Sequence, residues 1–114
     1  MSIDINYETS ANGVTTVNIS GSMDAMGAQA IDLKFSAISG SQNKLIINFE
    51  KLDYLASMGI RTLIMGAKSV QLRNGKMVIL KPNDDVQKVL SESGVDTLIP
   101  IYQDLQEAEA CVLS

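Results

Sequence analysis

A serine at the start of a predicted helix is the residue of this chain best placed to do chemistry. It lies in the segment Leu52-Asp53-Tyr54-Leu55-Ala56-Ser57-Met58-Gly59-Ile60-Arg61, which joins an apolar run to a helical pattern. We expect Ser57 to cap the helix, because a hydroxyl there accepts a hydrogen bond from a backbone N–H that has no other partner. A helix start also accommodates phosphate, through its free amides and the positive end of its dipole. Ser57 is therefore a predicted cap and, as a second interpretation, a candidate phosphorylation site.

One residue type and several motifs that are common in enzymes and metal sites are missing. The chain has no His, which is the usual proton shuttle near neutral pH and the commonest transition-metal ligand. Its one cysteine, Cys111, cannot form an internal disulfide or a CxxC site. We expect Cys111 to pack as a small apolar residue on a terminal helix. The glycine-rich nucleotide motifs and the GxSxG nucleophile motif are absent. We therefore expect no enzymatic activity, no metal and no cofactor.

The helix that follows Ser57 carries two methionines outside its main apolar face. Over about Met58 to Arg73, the main face is predicted from Ile60, Leu63, Ile64, Ala67 and Val70. A second, offset stripe has spacings of four, three and four and contains Met58, Thr62, Met65 and Ser69, with Arg61 and Lys68 on its borders. If the main face packs on a sheet, both methionines are exposed, and exposed methionine is typical of protein-binding surfaces. The alternative is a helix buried over a broader arc, with both methionines in the core.

Apolar spacing predicts the elements that position this helix. Residues 3 to 8 and 16 to 19 alternate apolar and polar side chains, with the turn pair Asn12-Gly13 between them and Gly21 closing the second strand, which indicates an N-terminal hairpin. The period then becomes three and four for a helix that Asp24 caps and Gly40 ends. The apolar run Leu45–Phe49 is typical of a central strand covered on both faces.

The second half of the chain continues the alternation of strand and helix. After the helix near 58–73, the pattern predicts a buried strand Met77–Leu80, a helix opened by Pro82-Asn83-Asp84 and ended by Gly94, a strand Leu98–Tyr102 and a last helix of about Asp104–Val112. Pro100 places its strand at an edge, because proline cannot donate to a ladder. The order β-β-α-β-α-β-α-β-α predicts an α/β fold with a mixed sheet and right-handed crossovers.

Length and charge limit the class of protein further. The chain has 114 residues, which predicts a single domain over 1–114. Nine Lys and Arg against thirteen Asp and Glu give a net charge of −4, which argues against nucleic-acid binding. Neither a signal peptide nor a run of roughly 18 apolar residues is visible, so we expect a cytoplasmic protein with no direct membrane insertion.

The segment Leu52–Arg61 resembles the signature of the STAS domain family, and more narrowly that of the stand-alone bacterial anti-sigma factor antagonists. The predicted hairpin ends in Gly21-Ser22-Met23-Asp24-Ala25, which is similar to the family's Gly-x-x-Asp-Ala before its first helix. Arg73-Asn74-Gly75 and the strand Met77–Leu80 also occur in the family's order. The resemblance covers nearly the whole chain and implies a single-domain STAS-like fold.

The resemblance also implies partner switching. In this family the unphosphorylated domain binds a GHKL-type serine kinase that is an anti-sigma factor, phosphorylation ends the binding, and a PP2C-type phosphatase reverses it. The phosphoacceptor position falls on Ser57, with Gly59 as the family's glycine two residues later. The chain differs from many members in having Ala56 where Asp or Ser is common and Met58 where a small residue is common.

Two functions of different classes follow as expectations. The first is a phosphorylation-switched interaction module, whose partner-binding residues are expected to be Asp24, Ala56, Met58, Gly59, Arg61, Thr62 and Met65. The second is an accessory subunit of an ABC-type membrane transport complex, as some single-domain STAS proteins are. A nucleotide-binding enzyme is disfavoured by the missing motifs.

Overall fold

Six strands form one sheet and four helices cover it in the computed structural model, which describes residues 2–114. The elements in chain order are β1 (Ile3–Thr9), β2 (Thr15–Met23), α1 (Ala25–Ser39), β3 (Lys44–Asn48), β4 (Leu52–Leu55), α2 (Ser57–Leu72), β5 (Lys76–Leu80), α3 (Asp84–Glu92), β6 (Ile101–Tyr102) and α4 (Leu105–Leu113). A 3₁₀ turn, Val95–Thr97, follows α3. None of these helices is long and apolar enough to cross a membrane.

The sheet is mixed, which confirms the predicted fold class. Its strand order is β1-β2-β3-β5-β6, and β4 pairs with the last residues of β2. β1 and β2 are antiparallel, with Ile5 opposite Ile19, whereas all the other pairs are parallel. The predicted hairpin and the alternation of strand and helix that follows it are therefore both present.

A sixth strand, β4, lies where the sequence predicted only a connection. The expectation that Gly21 closes β2 is also wrong, since β2 continues to Met23. Gly21 has a φ of +100°, and the register of β2 shifts between Gly21 and Ser22. A left-handed residue is easily adopted only by glycine, and the resulting bulge lets β2 leave β3 and pair with β4. The apolar positions of β4, Leu52 and Leu55, are three residues apart, so they lack the alternation that marks a strand.

The two faces of the sheet pack against different helices. Side chains that alternate along β3 and β5 point to opposite sides, so Leu45 and Ile47 join one cluster and Ile46 joins the other. The larger cluster contains residues of α1, α2 and α3, including the fully buried Phe35 and Leu63. The smaller one lies under α4. The prediction that the run Leu45–Phe49 is a central strand buried on both faces is therefore confirmed, with its bounds at Lys44–Asn48.

The C-terminal strand is shorter than predicted. β6 comprises only Ile101 and Tyr102, and it lies at the sheet edge next to β5, as Pro100 indicated. The carbonyl of Pro100 accepts a hydrogen bond from the N–H of Ile79 over 2.9 Å. Pro100 thus bonds to β5 through its carbonyl, although it has no N–H to donate. Cys111 on α4 is partly buried against the smaller cluster, which confirms its predicted place, and its hydrogen bond with Tyr102 raises the pKa of that phenol.

Candidate functional site

The starts of α1 and α2 lie side by side at one edge of the sheet. β2 leads into α1 through Asp24, and β4 leads into α2 through Ala56. Because β2 and β4 are parallel neighbours, with Met23 opposite Leu55, both helices begin at the same edge. The N–H of Ala56 donates to the carbonyl of Met23 over 3.0 Å and ties the two connections together. Parallel α/β sheets place their functional sites at such carboxyl ends of strands.

Asp24 holds the start of α1, as predicted. Its Oδ1 accepts a hydrogen bond from the N–H of Gly27 over 2.7 Å. Gly27 allows this close turn, because a Cβ there would lie 2.2 Å from the carbonyl oxygen of Ser22. The Asp24 side chain is half-buried, so it stands at the rim of the shared edge with one carboxylate oxygen engaged in the cap.

Ser57 is not the cap of α2. Ala56 occupies the N-cap position with extended backbone, and no side chain caps the helix. The carbonyl of Ala56 accepts from the N–H groups of Gly59 and Ile60, which sets the first turn one residue earlier than the sequence predicted. Ser57 is thus the first helical residue, exposed, and its hydroxyl has no hydrogen bond within residues 2–114. The side chain is free for chemistry because the helix does not depend on it.

Replacing Ser57 by alanine should therefore leave stability nearly unchanged. A true serine cap would lose about 1 kcal/mol on this replacement. At the first helical position we expect a change within about 0.5 kcal/mol, since alanine is the better helix former and no bond is lost. Urea unfolding of the two proteins measures the difference. A loss near the cap value would show that the hydroxyl does stabilise the helix start.

Gly59 and Thr62 are buried residues of α2 that determine how closely the helix packs at the site. Gly59 is buried, and a Cβ there would lie 2.7 Å from Cδ1 of Leu55 and 2.9 Å from Cγ of Met23. Thr62 is only 8% exposed, and its hydroxyl donates to the carbonyl of Met58 over 3.1 Å. Gly59 therefore lets α2 approach β2 closely, and Thr62 forms part of the floor between α1 and α2.

An open apolar groove runs between α1 and α2, and Met58, the residue after Ser57, lies in its wall. Its volume is about 750 Å³, and its walls carry the exposed side chains Met26, Leu33, Met58, Arg61 and Met65, with Thr62 below them. Met65 is 60% exposed and Leu33 is 85% exposed. Large apolar side chains so exposed and so close together are typical of protein-binding surfaces.

The structure decides between the two interpretations of the methionines. Met58 and Met65 are exposed, so the alternative of a helix buried over a broader arc is wrong. The other two members of the predicted stripe are not exposed. Thr62 is buried and packs towards α1. Ser69 is half-buried, and its hydroxyl accepts a hydrogen bond from the guanidinium of Arg73 over 3.1 Å. Arg61, which was placed on the border, belongs to the exposed wall.

The wall that α1 contributes was not predicted. Met26 and Leu33 lie off the face of α1 that packs on the sheet. A signal for them does exist in the sequence, because both are large apolar residues outside the three-and-four spacing that starts at Ala28. An isolated exposed apolar residue is common on protein surfaces, whereas several together mark a binding surface. Whether Met26 and Leu33 belong to such a cluster depends on the side chains that α2 places beside them.

Comparison with known proteins agrees with this architecture. The family model for the STAS domain matches residues 7–108. The anti-sigma F factor antagonist of Paenibacillus polymyxa is 24% identical over 94 residues, which cover 81% of this chain and 80% of that protein.

Solved structures share the fold over nearly the whole chain. The crystal structure of an anti-sigma factor antagonist from Mycobacterium paratuberculosis matches with a TM-score of 0.87 at 23% identity, covering 98% of this chain and 95% of the other. The Bacillus cell fate determinant SpoIIAA, in its phosphorylated form, matches with a TM-score of 0.71 at 22% identity, covering 96% and 99%. With its sheet, its paired helix starts and the family model over most of its length, the chain belongs to the STAS domain family.

Proposed function

We propose that this protein is an anti-sigma factor antagonist that works by binding and has no catalytic activity of its own. Its partner is an anti-sigma factor of the GHKL-type serine kinase class, which it binds through the groove between α1 and α2 and the adjoining start of α2. Phosphorylation of Ser57 by that kinase ends the binding, and a PP2C-type phosphatase restores it. The relatives named as anti-sigma factor antagonists support an anti-sigma factor as the partner.

The observation that carries this proposal is a free serine hydroxyl on the residue that directly precedes the wall of an exposed apolar groove. Ser57 precedes Met58, which is part of the groove wall, so a group added to the serine enters the same interface. Neither the hydroxyl nor the methionine is needed for the fold, because both are exposed and the helix start is formed by Ala56. A modification there changes the surface and leaves the core intact.

Phosphate on Ser57 should act at the interface. A phosphoserine adds about −1.5 to −2 charges at pH 7. The start of α2 tolerates these charges, since the positive end of the helix dipole and the unbonded amides of the first turn lie there. Against an apolar partner surface, however, a dianion cannot be buried without a matching cation. Binding is therefore lost while the domain stays folded.

The test uses candidate GHKL-type kinases of the same genome, purified and mixed with this protein and ATP. We expect phosphate on Ser57 by mass spectrometry and none on the Ser57→Ala variant. We also expect at least about a tenfold loss of affinity on phosphorylation, measured by calorimetry without ATP, with the melting temperature within a few degrees. Ser57→Asp should reproduce the loss only in part, because it carries one charge and fewer oxygens.

Three outcomes would contradict the proposal. Phosphate on the Ser57→Ala variant would place the acceptor elsewhere. Unchanged affinity of the phosphorylated protein would refute the switch, and melting of α2 on phosphorylation would refute its mechanism. If the protein binds no such kinase but forms a stoichiometric complex with an ABC-transporter ATPase, the accessory-subunit function replaces the one proposed here.

A further inference from the structure

We propose that the exposed face of α2 receives an amphipathic helix of the partner that carries carboxylates between its apolar residues. The face consists of Met58, Arg61, Met65, Lys68 and Leu72, and we call it the α2 stripe. This inference rests on the proposed function, because it names the chemistry of the partner segment that binds there.

The spacing of the α2 stripe is that of a helix-packing seam. Its members follow one another at intervals of three, four, three and four residues, and all five side chains are exposed. At 3.6 residues per turn they fall within an arc of about 80° and extend over about 21 Å of the helix. Such a straight, narrow seam fits a second helix lying along α2, since the three-and-four repeat is the pattern by which helices pack in parallel or antiparallel pairs.

Apolar and basic side chains alternate along the α2 stripe. The residues Met58, Met65 and Leu72 repeat every seven positions, and the cations Arg61 and Lys68 lie between them. Leu72 is 85% exposed, so the apolar repeat continues to the end of the helix. A partner helix that satisfies this face presents apolar residues to the three apolar positions and carboxylates to the two cations.

The charge of α2 contrasts with that of the whole chain. The chain has thirteen acidic residues and a net charge of −4, yet Ser57–Leu72 contains two cations and no acid. On the opposite wall of the groove, α1 contributes Asp32 among apolar and neutral residues. The cations Arg61 and Lys68 therefore lie on the α2 side and the carboxylate of Asp32 on the α1 side, so the carboxylates of the partner helix should face α2 and not α1.

A basic amphipathic face also suits an anionic membrane, but other features favour a protein helix. Membrane-bound amphipathic helices insert a broad apolar face into the lipid, whereas the α2 stripe is one seam of a helix whose other side is packed in the domain. The net charge of −4 repels an anionic bilayer. Met26 and Leu33 of α1 form a second wall opposite the α2 stripe. A helix can lie in the groove between these two walls, whereas a flat bilayer cannot enter it.

The test uses two designed helical peptides of about 18 residues as probes. Both carry leucine every seven positions, and the intervening seam positions are glutamate in one peptide and lysine in the other. We expect the acidic peptide to shift the amide resonances of residues 58–72 of the isotope-labelled protein. It should bind at least about tenfold more tightly than the basic peptide at low salt, and the difference should shrink at high salt.

Charge reversal supplies the matched control. The double variant Arg61→Glu and Lys68→Glu should reverse the preference between the two peptides, and because both side chains are exposed its fold should be retained. The same reversal at the exposed Lys76 and Lys88, which lie outside α2, should leave the preference unchanged.

Several results would overturn the inference. It fails if neither peptide shifts α2, if the basic peptide binds as well as the acidic one, or if the shifts map to another surface. Sedimentation with vesicles of phosphatidylserine and phosphatidylcholine that depends on Arg61 and Lys68 would show a lipid surface as the occupant. If the protein binds an anti-sigma factor but the charge-reversed variant binds it equally well, this inference falls while the proposed function stands.

Discussion

Replacing Met65 by glutamate is expected to weaken binding of the anti-sigma factor by about 10- to 100-fold, or about 1.4–2.7 kcal/mol, the effect of losing a packed interface anchor. Met65 stands in the middle of the exposed face of α2 and on the wall of the groove, so a partner that fills the groove desolvates it. A carboxylate there is left without water when the partner binds. It also neutralises the attraction that Arg61 and Lys68 exert on an acidic partner.

The fold should tolerate this change. Met65 is 60% exposed, so its replacement opens no cavity. The new glutamate lies four residues after Arg61 and three before Lys68, positions at which opposite charges on a helix attract each other by a few tenths of a kcal/mol. We therefore expect a melting temperature within a few degrees of that of the parent protein, measured by circular dichroism.

Two further variants make the result specific. Leu113→Glu changes an apolar residue of similar exposure on α4, which covers the other face of the sheet, and binding should stay the same. Met65→Lys should weaken binding less than Met65→Glu, because only the acidic residue repels a partner helix that carries carboxylates. A large fall in melting temperature for Met65→Glu, or equal binding of Met65→Glu and the parent, would show that the groove is not the interface.

Replacing Gly66 by valine is expected to destabilise the protein by about 2–3 kcal/mol, the usual loss when a packed core is overfilled. A Cβ at Gly66 would lie 2.6 Å from Cε2 and 3.0 Å from Cζ of Phe35, which is 1% exposed. The ring cannot move away without displacing its own buried neighbours. This contact sets the distance between α1 and α2, and with it the width of the groove.

A double-mutant cycle identifies the cause. In the Gly66→Val background, Phe35→Leu shortens the opposing side chain and should recover part of the lost stability, although the same change alone is destabilising. Ala30→Val makes the side chain larger at an exposed position of α1 and should cost only about 0.5 kcal/mol through helix propensity. Urea unfolding provides the values. Strictly additive losses for the two core changes would show that the ring of Phe35 and residue 66 are not coupled.

Most of the elements follow from local sequence, because period and capping depend on residues close in the chain. The alternation in β1 and β2 and the three-and-four spacing of α1 are sufficient to predict all three elements. Asp24 was recognised as a cap since its carboxylate bonds to an amide three residues away. Periodicity also placed Met58 and Met65 outside the main apolar face of α2, although only the structure decided that both are exposed.

The details of the site depend on contacts between distant segments. Whether Leu52–Leu55 forms a strand depends on a free stretch of β2, which the bulge at Gly21 supplies 31 residues earlier in the chain, counted from Leu52. The bond from Ala56 to the carbonyl of Met23 then fixes where α2 begins, so it makes Ser57 the first helical residue and removes its predicted role as a cap.

The sequence by itself determined the α/β class, the helix that carries the site and the position of two methionines off the main apolar face of that helix, because each follows from periodicity within single segments. Only the tertiary structure decided that Thr62 is covered and that Met26 and Leu33 complete a groove. The physical reason is that a groove forms between two helices and so depends on both. Because α1 packs closely against α2 at Gly66, it covers one side of α2 and excludes solvent from it. The residue spacing within α2 does not indicate where α1 lies.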